Sequence, residues 1–276
     1  MRWLAFLIWL LPIASAQDPR DIVRKAIQFD ARNEEIARNY TFTERQEQRH
    51  LDSSGEIHSA ESRTWDVTLL EGSPYRRLVA RGDHPLSPSE RSKEEEKLKF
   101  SNRQRRAETP EQRQFRIAEW KRKRDKQLEP LKELPDAFNF HLAGTESLVS
   151  GPAFMIDATP KPGYKPKAAS AAYLPKLKFR LWVNQKENCW VKLDAETLGN
   201  ISFGAILVRV DRGTRLLVEQ QHVNNEVWLL KRISLQAAGR VLLFKSFRRD
   251  LEITYANYRK FEVDSHVVPQ AAGPGF

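Results

Sequence analysis

The sequence predicts a predominantly antiparallel β protein with helical additions, and three observations carry that expectation. The last hundred residues divide into KLKFRLWVNQKENCWVKLDAE, ISFGAILVRVDRGTRLLVEQQHV, EVWLLKRISLQAAGRVLLFKSF and EITYANYRKFEV, whose apolar positions suit long strands. The joins between them carry turn residues such as Asp211-Arg212-Gly213 and Asn224-Asn225. A third stretch, from about 88 to 133, is dense in charge and strong in helix propensity, and so stands apart as a helical insertion.

Taken from the amino terminus, Met1-Arg2 is a short basic start, Trp3 to Ile13 is apolar, and Ala14-Ser15-Ala16 is a small-residue cleavage pattern. Residues 1–16 therefore read as a signal peptide, too short in its apolar run for the roughly 20 residues that span a bilayer. The expected mature chain, 17–276, is exported to a periplasm or secreted. Within DIVRKAIQFDARNEEIARNY, the residues Ile22, Val23, Ala26, Ile27 and Phe29 follow a helical spacing that lays one face on a sheet. Strands follow from Tyr40 to about 81, broken by a turn at Asp52-Ser53-Ser54-Gly55.

Pro88-Ser89-Glu90 opens the helical insertion, Thr109-Pro110 breaks it, and a second helical run reaches about Leu128. Strands resume after Pro135, with turns at Gly144 and Gly151. The following TPKPGYKPKAASAAYLP is expected to be a polar, proline-broken loop outside the core. Asp194–Asn200 and Ala238-Gly239 are read as further hairpin connections, and strand pairing between 240 and 262 stays open because apolar residues there run consecutively.

The 276 residues carry a formal charge of +10, of which 90–133 hold a net +5. Arg103-Gln104-Arg105-Arg106 and Lys121 to Arg124 are therefore the basic clusters. Interleaved acids and the exported location argue against nucleic acid, and anionic lipid head groups suit such clusters better. Together with Arg116 and Trp120, residues Lys121, Arg122, Lys123 and Arg124 are the candidates for meeting a membrane surface or an envelope partner. The six histidines form no HExxH or H-x-H pattern, and no G-x-S-x-G or phosphate-binding glycine loop occurs. No catalytic residue, metal site or cofactor is expected, and the chain is read as a non-enzyme. Cys189, the single cysteine, reads as a small buried apolar side chain.

The order of leader, helix and strands, with Leu181-Trp182-Val183-Asn184 before a turn, Trp190-Val191-Lys192-Leu193 after it, Val227-Trp228 later and Tyr258-Arg259-Lys260-Phe261 in the last strand, resembles the LolA/LolB-type periplasmic lipoprotein-carrier superfamily. GSPYRRLVARGDHPLSPSE followed by a charged helical run is similar to exported bacterial proteins of the outer-membrane lipoprotein-sorting-like kind. The resemblance implies one curved antiparallel half-barrel over 17–276, with an amino-terminal helix, an inserted charged helical hairpin and a hydrophobic cavity beneath the helices. The insertion and the Pro/Lys-rich loop depart from the carrier pattern.

Alternation alone places Phe179, Leu181 and Val183 on one strand face opposite Lys178 and Arg180, with Trp182 joining the polar side. Leu216 and Val218 share a face, as do Trp228 and Leu230. These seven are the cavity candidates. Eight buried carbons of an acyl chain would contribute roughly 6 kcal/mol before ordering costs. The expected function is non-catalytic holding of a lipid or acylated ligand, the alternative being an envelope interaction or sensor module that uses a sheet edge and the basic helices.

Overall fold

A computed structural model describes residues 17–203, 208–241 and 245–261. The expected leader at 1–16 lies outside the described residues. The chain runs from helix α1 (Pro19–Ala37) through strands β1 (Tyr40–Leu51), β2 (Ile57–Leu70), β3 (Ser73–Arg81) and β4 (His84–Pro85) to helices α2 (Pro88–Arg106) and α3 (Pro110–Ala137). It continues through β5 (Phe138–Leu148), β6 (Gly151–Pro160), β7 (Leu177–Asn184), β8 (Trp190–Thr197), β9 (Ile201–Phe203), β10 (Val208–Val210), β11 (Arg215–Val223), β12 (Val227–Val241) and β13 (Lys245–Lys260).

All strands belong to one antiparallel sheet in the order β4-β3-β2-β1-β13-β12-β11-β8-β7-β6-β5, with the short β9–β10 pair attached to β12. The two ends, β4 and β5, do not meet, so the sheet is open. Register shifts in the β1–β13, β2–β3, β5–β6, β7–β8 and β11–β12 pairings supply the bulges that bend such long strands. The predicted fold class, an unclosed β half-barrel with an amino-terminal helix and a helical insertion, is the observed one.

Local chemistry sets the helix starts. Asp18 accepts the Arg20 N–H at 2.9 Å ahead of Pro19. Ser87 and Glu90 cap α2 reciprocally, and Thr109 and Gln112 do the same for α3, each with proline in the first turn. The second helical run does not stop near Leu128 as expected but continues to Ala137 through Pro130 and Pro135. Proline breaks helices when nothing offsets the lost hydrogen bond. Here Pro130, Glu133 and Ala137 are buried, so packing holds the last turns.

Three other expectations are corrected. The Pro/Lys-rich loop is part of the core: two 3-10 turns, Ala169–Ala171 and Leu174–Lys176, bury Ala171 and Leu174. Glu133 organises it, accepting the Tyr164 hydroxyl at 2.5 Å and the N–H groups of Lys167 and Ala168 at 3.0 and 2.8 Å. Asp194 is not in a turn, because β8 extends to Thr197. Ala238-Gly239 is no hairpin connection, since β12 passes straight through it to Val241. Gly239 stands there opposite Val210 in the pairing with β10, so close that a Cβ would collide with the Arg209 carbonyl. Asn224 and Asn225 do form a turn, with φ of 53° and 55°. The open pairing near the carboxyl end resolves into β13 lying between β1 and β12.

Candidate functional site

The concave face is built by register. Leu181, Leu193, Val218, Ile233 and Ile253 stand directly opposite one another across β7, β8, β11, β12 and β13, forming an apolar row across the sheet. The opposite face is polar, where Arg180 pairs Asp157 at 2.6 Å and Lys178 pairs Glu196 at 3.0 Å. Trp182 joins that polar face as predicted, yet it is buried, donates to Glu146 at 2.7 Å and lies under the Lys192 ammonium at 4.4 Å.

Helices roof the concave side. α1 packs on β12, β7 and β5, and Asn33 clamps it to the backbone of Trp228, accepting its N–H at 2.8 Å and donating to its carbonyl at 2.7 Å. α3 leaves the β2–β3 turn, where Arg116 donates to the Glu71 carbonyl at 2.8 Å and Ile117 packs against Gly72. Its far end reaches α1, β5 and the 3-10 turns. Arg124 joins its middle to α1 through Glu34, with one nitrogen–oxygen distance of 2.7 Å.

Between roof and sheet lies a cavity of about 180 Å³. Val23, Ala26, Ile27 and Asp30 of α1 line it at helical spacing, with Pro130, Leu131 and Leu134 of α3 beside them. The sheet contributes Leu177, Phe179, Leu181, Trp190, Leu193, Ala195 and Leu216, and the loop adds Tyr173 and Leu174. Asp30 is the one ionisable carboxyl in this wall, and its Oδ1 accepts the Trp190 indole N–H at 3.1 Å. Burial pushes the Asp30 carboxyl above its usual range, Trp190 opposes the rise, and the neighbouring Glu34 adds to it. Farther along the concave face Arg76 sits 4.3 Å over the Trp65 ring and 2.6 Å from Glu44.

Of the seven cavity candidates, Phe179, Leu181 and Leu216 line this space. Val183 is buried in the same core, and Val218 and Leu230 are half-buried on strands beside it. Trp228 lies elsewhere: it belongs to a second cluster with Trp182, Cys189 and Val191, stacks on His222 at 4.9 Å and donates to Glu187 at 2.7 Å. Strand alternation missed the helical half of the wall and Asp30, although the spacing of 23, 26, 27 and 30 in α1 carried that signal.

Among the surface candidates, Arg116 is held by Glu108, Ser73 and the Glu71 carbonyl, Arg124 by Glu34, and Arg122 by Glu119 at 2.8 Å. Lys121 and Lys123 are exposed, and Trp120 is half-buried. The large exposed apolar side chains of the insertion are instead Phe100, 54% exposed, and Phe115, 71% exposed. Among the described residues no group of three or more His, Cys, Asp or Glu is placed to hold a metal. No helix among them is long and apolar enough to cross a membrane. Cys189 is buried, which pushes its thiol far up and keeps it protonated.

The fold and site define a class: an open antiparallel half-barrel with an apolar cavity under a helical roof. Comparison with solved structures finds a domain assigned to outer membrane lipoprotein sorting from Vibrio parahaemolyticus, at 9% identity and a TM-score of 0.36, covering 89% of this chain and 95% of that one. A DUF1329 family protein from Desulfovibrio piger matches at 11% identity and a TM-score of 0.31, covering 90% and 95%. The Pseudomonas aeruginosa MucA/MucB complex structure matches at 9% identity and a TM-score of 0.24, covering 89% and 99%. No family model matches the sequence, and no curated protein matches it. At these scores the likenesses establish neither a family nor a ligand for this chain.

Proposed function

We propose that this protein is an exported, non-catalytic binding protein that holds the apolar chain of a lipid or acylated ligand beneath its helical roof. The observation that carries the reading is the cavity wall, which is apolar on the α1, α3 and sheet sides and has a single carboxyl. At about 180 Å³ the space is close to the roughly 150 Å³ of dry cavities that take up benzene, and smaller than the roughly 300–1,000 Å³ of most ligand pockets. It therefore suits the end of a chain rather than a whole lipid, with the remainder following the row toward Ile233 and Ile253. Six buried methylenes would contribute about 5 kcal/mol before ordering costs.

Ala195 offers a test, with circular dichroism verifying that the variant folds. It is buried at the cavity wall, so Ala195→Leu adds bulk where the chain end would sit. Native mass spectrometry after incubation with fluorescent acyl lipids should show loading of the unaltered protein and at least tenfold less of the variant. Equal loading of both proteins would sink the cavity assignment.

A second reading, docking on an envelope partner or an anionic bilayer, is favoured by one observation. Phe100 and Phe115 are exposed on helices rich in Lys and Arg.

A further inference from the structure

We propose that the cavity selects chains whose polar end donates a hydrogen bond, an ammonium or a hydroxyl, and rejects carboxylates, because Asp30 stands in its wall. This rests on the cavity reading above and sharpens it to a ligand class. The side chain occupies the fourth position of the α1 stripe Val23, Ala26, Ile27 and Asp30, where an apolar residue would complete the packing. Trp190 donates to Oδ1 at 3.1 Å and the Gln220 side chain also hydrogen-bonds the carboxylate, which offers about four acceptor sites. The remaining acceptor capacity meets a space otherwise walled by Leu, Ile, Ala and aromatic carbon.

An acid in such a place is costly, since desolvation outweighs the other influences on its carboxyl and raises it. Other well-held carboxylates lie outside the cavity wall: Glu133 takes three donors and Asp157 takes a paired guanidinium. Asp30, half-buried and held by Trp190 and Gln220, differs in lining the cavity itself, and a perturbed acid facing a cavity is what a recognition group looks like. Its charged neighbours are Glu34, one turn along α1, and Arg124, which Glu34 holds. A ligand donor at Asp30 would add a third partner to Trp190 and Gln220. A ligand carboxylate would instead bring like charge against Asp30 and Glu34 in a space of low dielectric.

Octylamine, octanol and octanoate, with equal chains and different ends, separate these possibilities by titration calorimetry on the full mature chain. Octylamine and octanol should bind about tenfold or more tightly than octanoate, the size of effect expected when a donor meets a charged acceptor. Tight octylamine with weak octanol would assign the site to cations, and comparable tightness would assign it to donors in general. Asp30→Asn keeps the shape and an acceptor for Trp190, and circular dichroism verifies its fold. In that variant the preference should collapse, with octanoate gaining. Three equal affinities in the unaltered protein would overturn head-group selection and leave the cavity reading standing. A preference that survives Asp30→Asn would remove Asp30 from the role. Failure of all three ligands to bind would overturn the cavity reading, and the selectivity with it.

Discussion

Asp30 and Glu133 are both carboxylates beneath the helical roof, and their surroundings push them in opposite directions. Burial raises Asp30 above its ordinary 3.8, so the folded protein releases that proton less readily than the unfolded chain. Stability is thus lost as pH rises from 3.8 through the folded value. Asp30→Asn should unfold at higher urea than the unaltered protein at pH 7, and the advantage should fade below pH 3.8, where both side chains are neutral. Glu133 is held below its ordinary 4.5, chiefly by the Tyr164 hydroxyl. Its contribution is present above 4.5 and lost as pH falls through the folded value. Glu133→Gln should cost about 1 kcal/mol at pH 7, with the difference shrinking in acid. Urea titrations at several pH values read both signs. Neither residue was singled out from sequence, because a helical acid reads as solvated until a neighbouring element buries it.

At the scale of elements, α3 is a strap over the concave face, fastened at three places. Arg116 and Ile117 hold its start to the β2–β3 turn, Arg124 meets Glu34 of α1, and Glu133 pins the Pro/Lys-rich loop under its end. The middle fastening is a half-exposed ion pair, with side-chain exposures of 44% and 14%. Such pairs are worth about 0–1 kcal/mol to stability. Arg124→Ala should therefore change the unfolding midpoint little, while loosening the mouth between α1 and α3. Stopped-flow dilution of a loaded fluorescent chain should show release several-fold faster in Arg124→Ala, and an unchanged rate would mean that the chain does not pass this gap. Both helices of the insertion were legible from Pro88, Thr109 and Pro110. The extension past Leu128 was not, since burial of Pro130 and Ala137 offsets a local breaker signal.

For the whole molecule, the concave face is apolar from β7 to β13 and carries the Arg76–Glu44 pair farther along, while the insertion exposes Phe100 and Phe115. Replacing these two exposed rings by serine should leave stability within about 0.5 kcal/mol. If the insertion docks on an anionic bilayer, Phe100→Ser with Phe115→Ser should reduce co-sedimentation with phosphatidylglycerol vesicles several-fold in moderate salt. Undiminished binding would remove these rings from any docking surface. The basic run from Lys121 to Arg124 looked equally suitable on paper, but Arg122 and Arg124 meet Glu119 and Glu34.

By itself the sequence determined the strand-rich class, α1, the caps that start the inserted helices, the Asn224-Asn225 turn and the inward set Phe179, Leu181 and Val183. These are local properties, written in periodicity, capping side chains and turn residues within a few positions of one another. Only the tertiary structure decided that Gly239 is a close strand contact rather than a turn, that the proline-rich loop joins the core, and that Trp228 stands away from the cavity. It also decided that Asp30 faces apolar carbon and that Arg124 is held by Glu34. Each of these depends on a partner far along the chain, from Arg209 against Gly239 to Trp190 against Asp30. Burial and charge pairing arise only when such segments meet, so a local pattern such as the α1 spacing of 23, 26, 27 and 30 marks a face without saying what covers it.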